Sequence, residues 1–245
     1  MSKFIFISIF GLIIILHSCT SNRYIYTASP ANNPYFTEKG QSKLTAYYSS
    51  NGAEGDVAGS GKTNPQSRDN GADIQGAYAF GTNWALTAGY YHRNETDFDL
   101  ISSKDFIVKY KRDLFDVGGG FFIPLNKRKS FTFNFYTGAA VGKFSLTDQN
   151  KIADYTRFHS AAITKWYIQP SFNYIWSEYV RIGLILKNSF VHYGNIQTNY
   201  TNVEKESFGL NLIENRTLSF FEPEWNIQLG MPQLPWVKLD LVSSY

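Results

Sequence analysis

The sequence predicts an all-β protein, an antiparallel up-and-down transmembrane β-barrel of eight to ten strands. Three observations carry that prediction. From Phe221 every second residue is apolar or proline (Phe221, Pro223, Trp225, Ile227, Leu229), while Phe220, Glu222, Glu224, Asn226 and Gln228 alternate with them. A period of two with carboxylates on one face is a strand between two different solvents. Short and long connections alternate strictly along the chain, as in outer-membrane barrels with tight periplasmic turns and longer outer loops. The chain also opens with an export address.

That address is residues 1–18. Lys3 precedes an apolar run, Phe4 to Leu16, which is too short to span a bilayer as a helix. The run ends Leu16-His17-Ser18-Cys19. This resembles a lipobox, in which Cys19 is acylated, with palmitate or a similar chain, and becomes the mature N-terminus. His17 is an unusual residue at its position. Cys19 is the one cysteine, so an intrachain disulfide is excluded in any compartment. Residues 19–40, with Pro30, Pro34, Asn32 and Asn33, have no sustained period and read as an extended periplasmic tether.

The barrel is expected from residue 41 to 245. Leu44, Ala46 and Tyr48 start the first strand, and Ile74, Gly76, Tyr78 and Phe80 the second. The third carries Trp84, Leu86, Ala88 and Tyr90. The fourth carries Phe115, Val117, Phe121 and Ile123, opposite Asp116, Gly118, Gly120 and Phe122; its glycines call for bending or close packing in a narrow bore. Phe131 to Gly142, Lys165 to Tyr174 and Val180 to Ser189 alternate in the same way. The last hairpin is the eighth strand and Val237, Leu239, Leu241 against Lys238 and Asp240. Short turns fall near 81–83, 125–129, 176–178 and 231–235, and long polar connections near 50–71, 94–112, 147–157 and 196–216. Pro170 and Pro223 each remove a ladder donor and are expected near a bulge or strand end. Nine strands is an odd count, whereas single-chain bacterial barrels are even. Either a tenth strand follows Tyr245, or Gln41 to Ser49 stands outside the wall of an eight-stranded barrel.

The apolar face is assigned to lipid. Slipping the eighth strand by one residue would turn Glu222 and Glu224 outward, where charges cost up to about 2–4 kcal/mol each for basic residues at mid-bilayer and less for acids. Trp84, Trp176 and Trp236 lie beside short turns and are expected to form an aromatic girdle at the periplasmic headgroups. The inward polar set is Asp116, Lys165, Arg181, Lys187, Glu222, Glu224, Lys238 and Asp240. It could line a channel. A bore of eight to ten strands is largely filled by side chains, which favours a salt-bridged, closed lumen.

Little in the sequence speaks for chemistry. Charged residues are 18%, aromatics 17%, and the net charge of +3 comes without a basic cluster, which sets nucleic acid aside. Gly59-Ser60-Gly61-Lys62-Thr63 looks like the end of a phosphate-binding loop, but Asp56 stands where the first glycine belongs and no strand-to-helix context surrounds it. His92, His159 and His192 lack metal-ligand spacing; His92 with Glu95 is the one pair near a loop base. No nucleophile, base and orienter are named by a short motif, so no enzyme, metal or cofactor is expected.

The tether Asn33-Pro34-Tyr35-Phe36-Thr37-Glu38-Lys39-Gly40, with Ile74-Gln75-Gly76-Ala77-Tyr78-Ala79, Tyr167-Ile168-Gln169-Pro170 and Phe220-Phe221-Glu222-Pro223, resembles a group of uncharacterised outer-membrane β-barrel lipoproteins of the Bacteroidetes type. The resemblance implies a location and a fold, and no substrate. The expected place is the cell outer membrane, with a lipid-anchored N-terminus on the periplasmic side. The expected partners are the lipid bilayer and the barrel-assembly and lipoprotein-sorting machinery. The expected role is structural or in surface interaction, with a small pore or a rim hydrolase as weaker readings. A soluble lipocalin-like barrel is the alternative; it would turn the apolar face inward and leave Glu222, Glu224, Lys238 and Asp240 in water.

Overall fold

A computed structural model describes residues 26–51, 67–99, 106–150, 153–214 and 216–244. The signal segment, Cys19 and the glycine-rich stretch Gly59 to Thr63 lie outside the described residues. Nine strands form one antiparallel sheet in chain order: β1 Ser42–Asn51, β2 Ser67–Tyr78, β3 Trp84–Asp99, β4 Phe106–Pro124, β5 Phe131–Asn150, β6 Tyr155–Ile175, β7 Val180–Thr198, β8 Thr217–Met231 and β9 Leu234–Ser244. The sheet curls into a half-barrel, as the up-and-down pattern requires. β1 pairs with β2 along its whole length, from Ser42 opposite Tyr78 to Asn51 opposite Asp69, so the first strand belongs to the wall. The eight-stranded alternative is thereby excluded. Being odd-numbered, β1 and β9 run the same way, and among the described residues they share no ladder.

The predicted facing holds in every strand. Leu44, Ile74, Leu86, Val117, Val141, Trp166, Trp225 and Leu239 are each half or more exposed on the convex face, while the residues between them are covered. The exposed apolar band runs from Phe115 to Ile123 in β4, Phe131 to Val141 in β5, Trp166 to Tyr174 in β6 and Phe221 to Leu229 in β8. Each is about the 9–11 residues that a tilted strand needs to cross a bilayer.

The strands do not stop where that band stops. β4, β5, β6 and β7 are 19, 20, 21 and 19 residues long. The polar stretches 94–112 and 147–157, expected as loops, are largely strand. In this upper half the side-chain parity is kept but the polarity inverts. Lys109, Lys111 and Lys143 point outward, and Val108, Tyr110, Leu114, Phe144, Leu146, Ile163, Val191 and Tyr193 are buried inside. A sheet edge leaving hydrocarbon for water has this physics: its outer face must become polar, and an apolar interior then holds it together.

The β7–β8 connection folds over that interior. It carries helix α1 (Asn202–Ser207) and a 3-10 turn (Leu210–Leu212). Thr201 and Glu204 make a capping box: the Thr201 hydroxyl accepts from the Glu204 amide, and the Glu204 carboxylate accepts from the Thr201 amide. The Thr201 backbone N–H, its hydroxyl and Arg157 hold the Glu204 carboxyl below its ordinary range, against a small desolvation cost. Leu210 and Ile213, fully buried, seal the top of the cluster, and Tyr200 donates to Asp148 at 2.9 Å.

The two prolines lie at neither bulge nor strand end. Register shifts fall elsewhere, between Ser160 and Ala162 and between Gly230 and Met231. Pro223 faces Leu186 in an unbroken β7–β8 register, and β9's pairing stops next to it, at Glu224. Pro170 interrupts the β6–β7 ladder between Ile168 and Ser171 without shifting it.

Candidate functional site

The lower half of the concave face is polar and almost wholly buried. Thr132 and Asn134 come from β5, Gln169, Ser171 and Asn173 from β6, Lys187 and Ser189 from β7, and Glu222, Glu224, Asn226 and Gln228 from β8. Buried polar groups need partners, and charges need them most. Most of the partners come from a segment that the sequence reads as a free tether. From Tyr26 to Phe36 the chain runs inside the sheet, not outside it.

Its contacts can be followed one residue at a time. Tyr26 donates to Glu222 Oε1 at 2.6 Å, accepts from Lys165 Nζ at 2.6 Å and stacks on Phe220 with ring centroids 4.1 Å apart. Thr27 donates to Glu95 at 3.0 Å. The Ser29 carbonyl accepts from Lys187 Nζ at 3.1 Å, and the Pro30 carbonyl from Gln75 at 2.7 Å. The Ala31 amide donates to Glu224 at 2.8 Å. Asn32 bonds the Gly76 carbonyl and receives Gln169 on its own, both at 2.9 Å. Asn33, fully buried, is a hub: its amide group donates to Asn173 at 2.8 Å, its side-chain oxygen accepts from Asn134, Ser171 and Asn173 at 3.2–3.4 Å, and its carbonyl accepts from Lys43 at 3.0 Å. Tyr35 donates to Asn226. Phe36 packs edge-on against Phe122 at the bottom.

This segment explains the charge pattern. Glu222 lies 3.2 Å from Lys187 Nζ and 3.9 Å from Lys165 Nζ, and each of the three side chains is less than a tenth exposed. Two cations thus share one carboxylate, with Tyr26 and Ser29 completing their hydrogen bonds. Higher up, Arg93 grips Asp73 through two bonds of 3.0 and 2.9 Å, and Arg112 reaches Glu95 at 2.7 Å. Glu95 therefore faces inward. His92 faces outward and bonds Asp113 at 2.5 Å, so the His92–Glu95 pairing is corrected by strand parity. His159 is buried beside the Phe144 ring. Among the described residues no cluster of three His, Cys, Asp or Glu is placed to hold a metal.

Of the eight residues predicted to line the lumen, Lys165, Lys187, Glu222 and Glu224 form the buried network. Asp116 is half-buried and borders a small cavity beside Ser29, Pro30 and Tyr167. Arg181, Lys238 and Asp240 instead line a cleft of about 460 Å³ between β1 and β9, with Tyr35, Lys43 and Tyr47. There Asp240 accepts from Lys43 at 2.8 Å and from Tyr47 at 3.3 Å, linking the two outer strands through side chains alone. Lys238 sits at the short-turn rim and donates to the Glu178 carbonyl, so it is no part of the buried set. Apart from that cleft the interior is packed, polar in its lower half and mainly apolar above, where the Arg93–Asp73 and Arg112–Glu95 pairs, Asp148 and His159 are also inside. Trp84, Trp176 and Trp236 are all exposed at the short-turn end, Trp236 at the cleft between β1 and β9.

Sequence reasoning missed the tether residues and the Asp73–Arg93 and Glu95–Arg112 pairs. The one available sign was Ala31-Asn32-Asn33-Pro34-Tyr35, a polar run without charge, which suits a segment that must satisfy a wet, charged bore better than one that floats in solvent.

Compared with known proteins, the chain matches no family model, no curated protein and no solved structure.

Proposed function

We propose that the protein is an outer-membrane β-barrel lipoprotein whose bore is closed by its own N-terminal segment, and that its role is structural or one of surface contact through the long connections. Cys19 is the acylation site, and the bilayer, the barrel-assembly machinery and the lipoprotein-sorting machinery are its partners. The observation that carries this reading is the inversion of polarity along single strands. Within a band of bilayer height the apolar side chains face out and the ionic network faces in; above it Lys109, Lys111 and Lys143 face out and a mainly apolar cluster faces in, beside the Arg93–Asp73 and Arg112–Glu95 pairs. A lipocalin-like soluble barrel would keep its apolar face inward along the whole strand. The resemblance to Bacteroidetes-type barrel lipoproteins supports the same location.

Salt bridges and hydrogen bonds to the N-terminal segment occupy the lower bore and a mainly apolar cluster the upper one, which favours a closed barrel over a pore. We propose no catalytic role.

Detergent dependence tests the location. A chain beginning at Thr20, which lacks the signal and the acylated cysteine, is expected to fold only when detergent or lipid is supplied. Size-exclusion chromatography with circular dichroism reads this out. A folded monomer obtained in plain buffer would contradict the membrane reading.

A further inference from the structure

The path of the N-terminal segment has a direction. Its lower end, Asn33 to Phe36, touches Asn173 and Asn226 near the ends of β6 and β8 that join the short turns. Ala31 meets Glu224 and Ser29 meets Lys187, both further from those turns. Thr27 meets Glu95, far up β3, and Tyr26 meets Lys165 at the midpoint of β6 and stacks on Phe220, close to the opposite end of β8. Tyr26 also packs against the apolar cluster that Tyr200, Leu210 and Ile213 of the β7–β8 connection close from above. Followed backward from Gly40, the chain climbs from the short-turn mouth toward the long connections.

We infer that the acylated N-terminus leaves the barrel on the side of the long connections, opposite the short turns. This reverses the periplasmic anchor expected from the lipobox alone, and it rests on the proposed outer-membrane reading. Cys19 stands seven residues before Tyr26. Seven residues span at most about 25 Å when extended, and Phe220, on which Tyr26 stacks, lies close to the end of β8 that joins the long connection. Going back toward the short turns would need a second chain to pass Asn33, Tyr35 and Phe36, each at most 2% exposed, beside which the cleft between β1 and β9 is the opening. The lipid chemistry follows from the side: the acyl chain on Cys19 would enter the leaflet facing the long connections, and the protein would be a surface-anchored lipoprotein with its leader threaded through its own barrel.

Single-cysteine labelling tests this in the full-length protein, because acylation leaves Cys19 without a free thiol. Three variants are compared with a membrane-impermeant maleimide on intact and on lysed cells of a bacterium with an outer membrane. Asn22→Cys reports the leader. Val203→Cys, on α1 and 78% exposed, reports the long-connection side, and Lys127→Cys reports the β4–β5 turn. Val203 and Lys127 both stand clear of the buried network. We expect Asn22→Cys to label on intact cells to the same extent as Val203→Cys, while Lys127→Cys labels only after lysis. Should Asn22→Cys behave like Lys127→Cys while Val203→Cys labels on intact cells, the threading is overturned and the barrel reading stands. Should Val203→Cys and Lys127→Cys label alike, both unlabelled or both labelled before lysis, the membrane reading falls and the threading with it.

Discussion

Glu222→Ala is expected to cost about 3–5 kcal/mol of stability, the range for removing one partner of a buried ion pair. The reason is what remains. Lys165 and Lys187 would stay at 3–4% exposure with no carboxylate between them, and Tyr26 would lose its acceptor. A fold typically holds only about 5–15 kcal/mol in reserve. With a urea dependence of about 1–3 kcal/mol per molar, the unfolding midpoint in detergent should fall by more than about 1 M. A triple variant, Glu222→Leu with Lys165→Met and Lys187→Met, should recover most of the loss, since an apolar replacement of a whole buried ionic group is often neutral. Single-channel recordings should stay silent for the wild type. An unchanged midpoint together with altered ion flow would mean that these charges line a pore.

Gly183→Ala is expected to expel the tether. A Cβ there would come within 2.5 Å of Asn33 Nδ2 and 2.8 Å of both Asn173 Oδ1 and the Tyr35 hydroxyl. None of these atoms can yield without breaking the Asn33 hub or the Tyr35–Asn226 bond. Overpacking and the polar atoms left unpaired together should cost about 2–4 kcal/mol. Gly76→Ala is the matched control, because its Cβ would meet nothing within 4 Å. The readout is proteolysis of the folded protein in detergent. Gly183→Ala should become cleavable between Tyr26 and Gly40, and Gly76→Ala should not. Equal resistance of the two would show that the segment does not depend on the contacts described for it.

Both variants concern a part of the molecule that the sequence hid. The lipid-facing half was legible because one simple contrast, hydrocarbon against a polar bore, writes itself as a period of two; Phe221 to Leu229 displays it without interruption. The upper half was obscured because both of its faces differ from those below. Val108, Tyr110, Phe144 and Leu146 are apolar and inward, so the same parity carries the opposite polarity, and Lys109, Lys111 and Lys143 made those stretches look like loops. The tether was illegible for another reason. A segment that satisfies other strands' side chains needs no period of its own, and the Asn33 side chain makes its bonds to positions a hundred or more residues away. The charges at Lys165, Lys187, Glu222 and Glu224 were visible as a set, but the aromatic hydroxyl of Tyr26 that lies between two of them was not.

The central claim is that hydrocarbon covers the convex face, and tryptophans report on it directly, since Trp84, Trp166 and Trp225 are exposed there. Variants that keep one tryptophan, with phenylalanine at the other four positions, can be folded into vesicles whose acyl chains carry bromine at a chosen depth. Trp225, at the middle of the β8 band, should be quenched most by bromine near the bilayer centre. Trp176, beside a short turn, should be quenched most by bromine close to the headgroups. A Trp225 that no brominated lipid quenches and that aqueous iodide quenches freely would contradict the account.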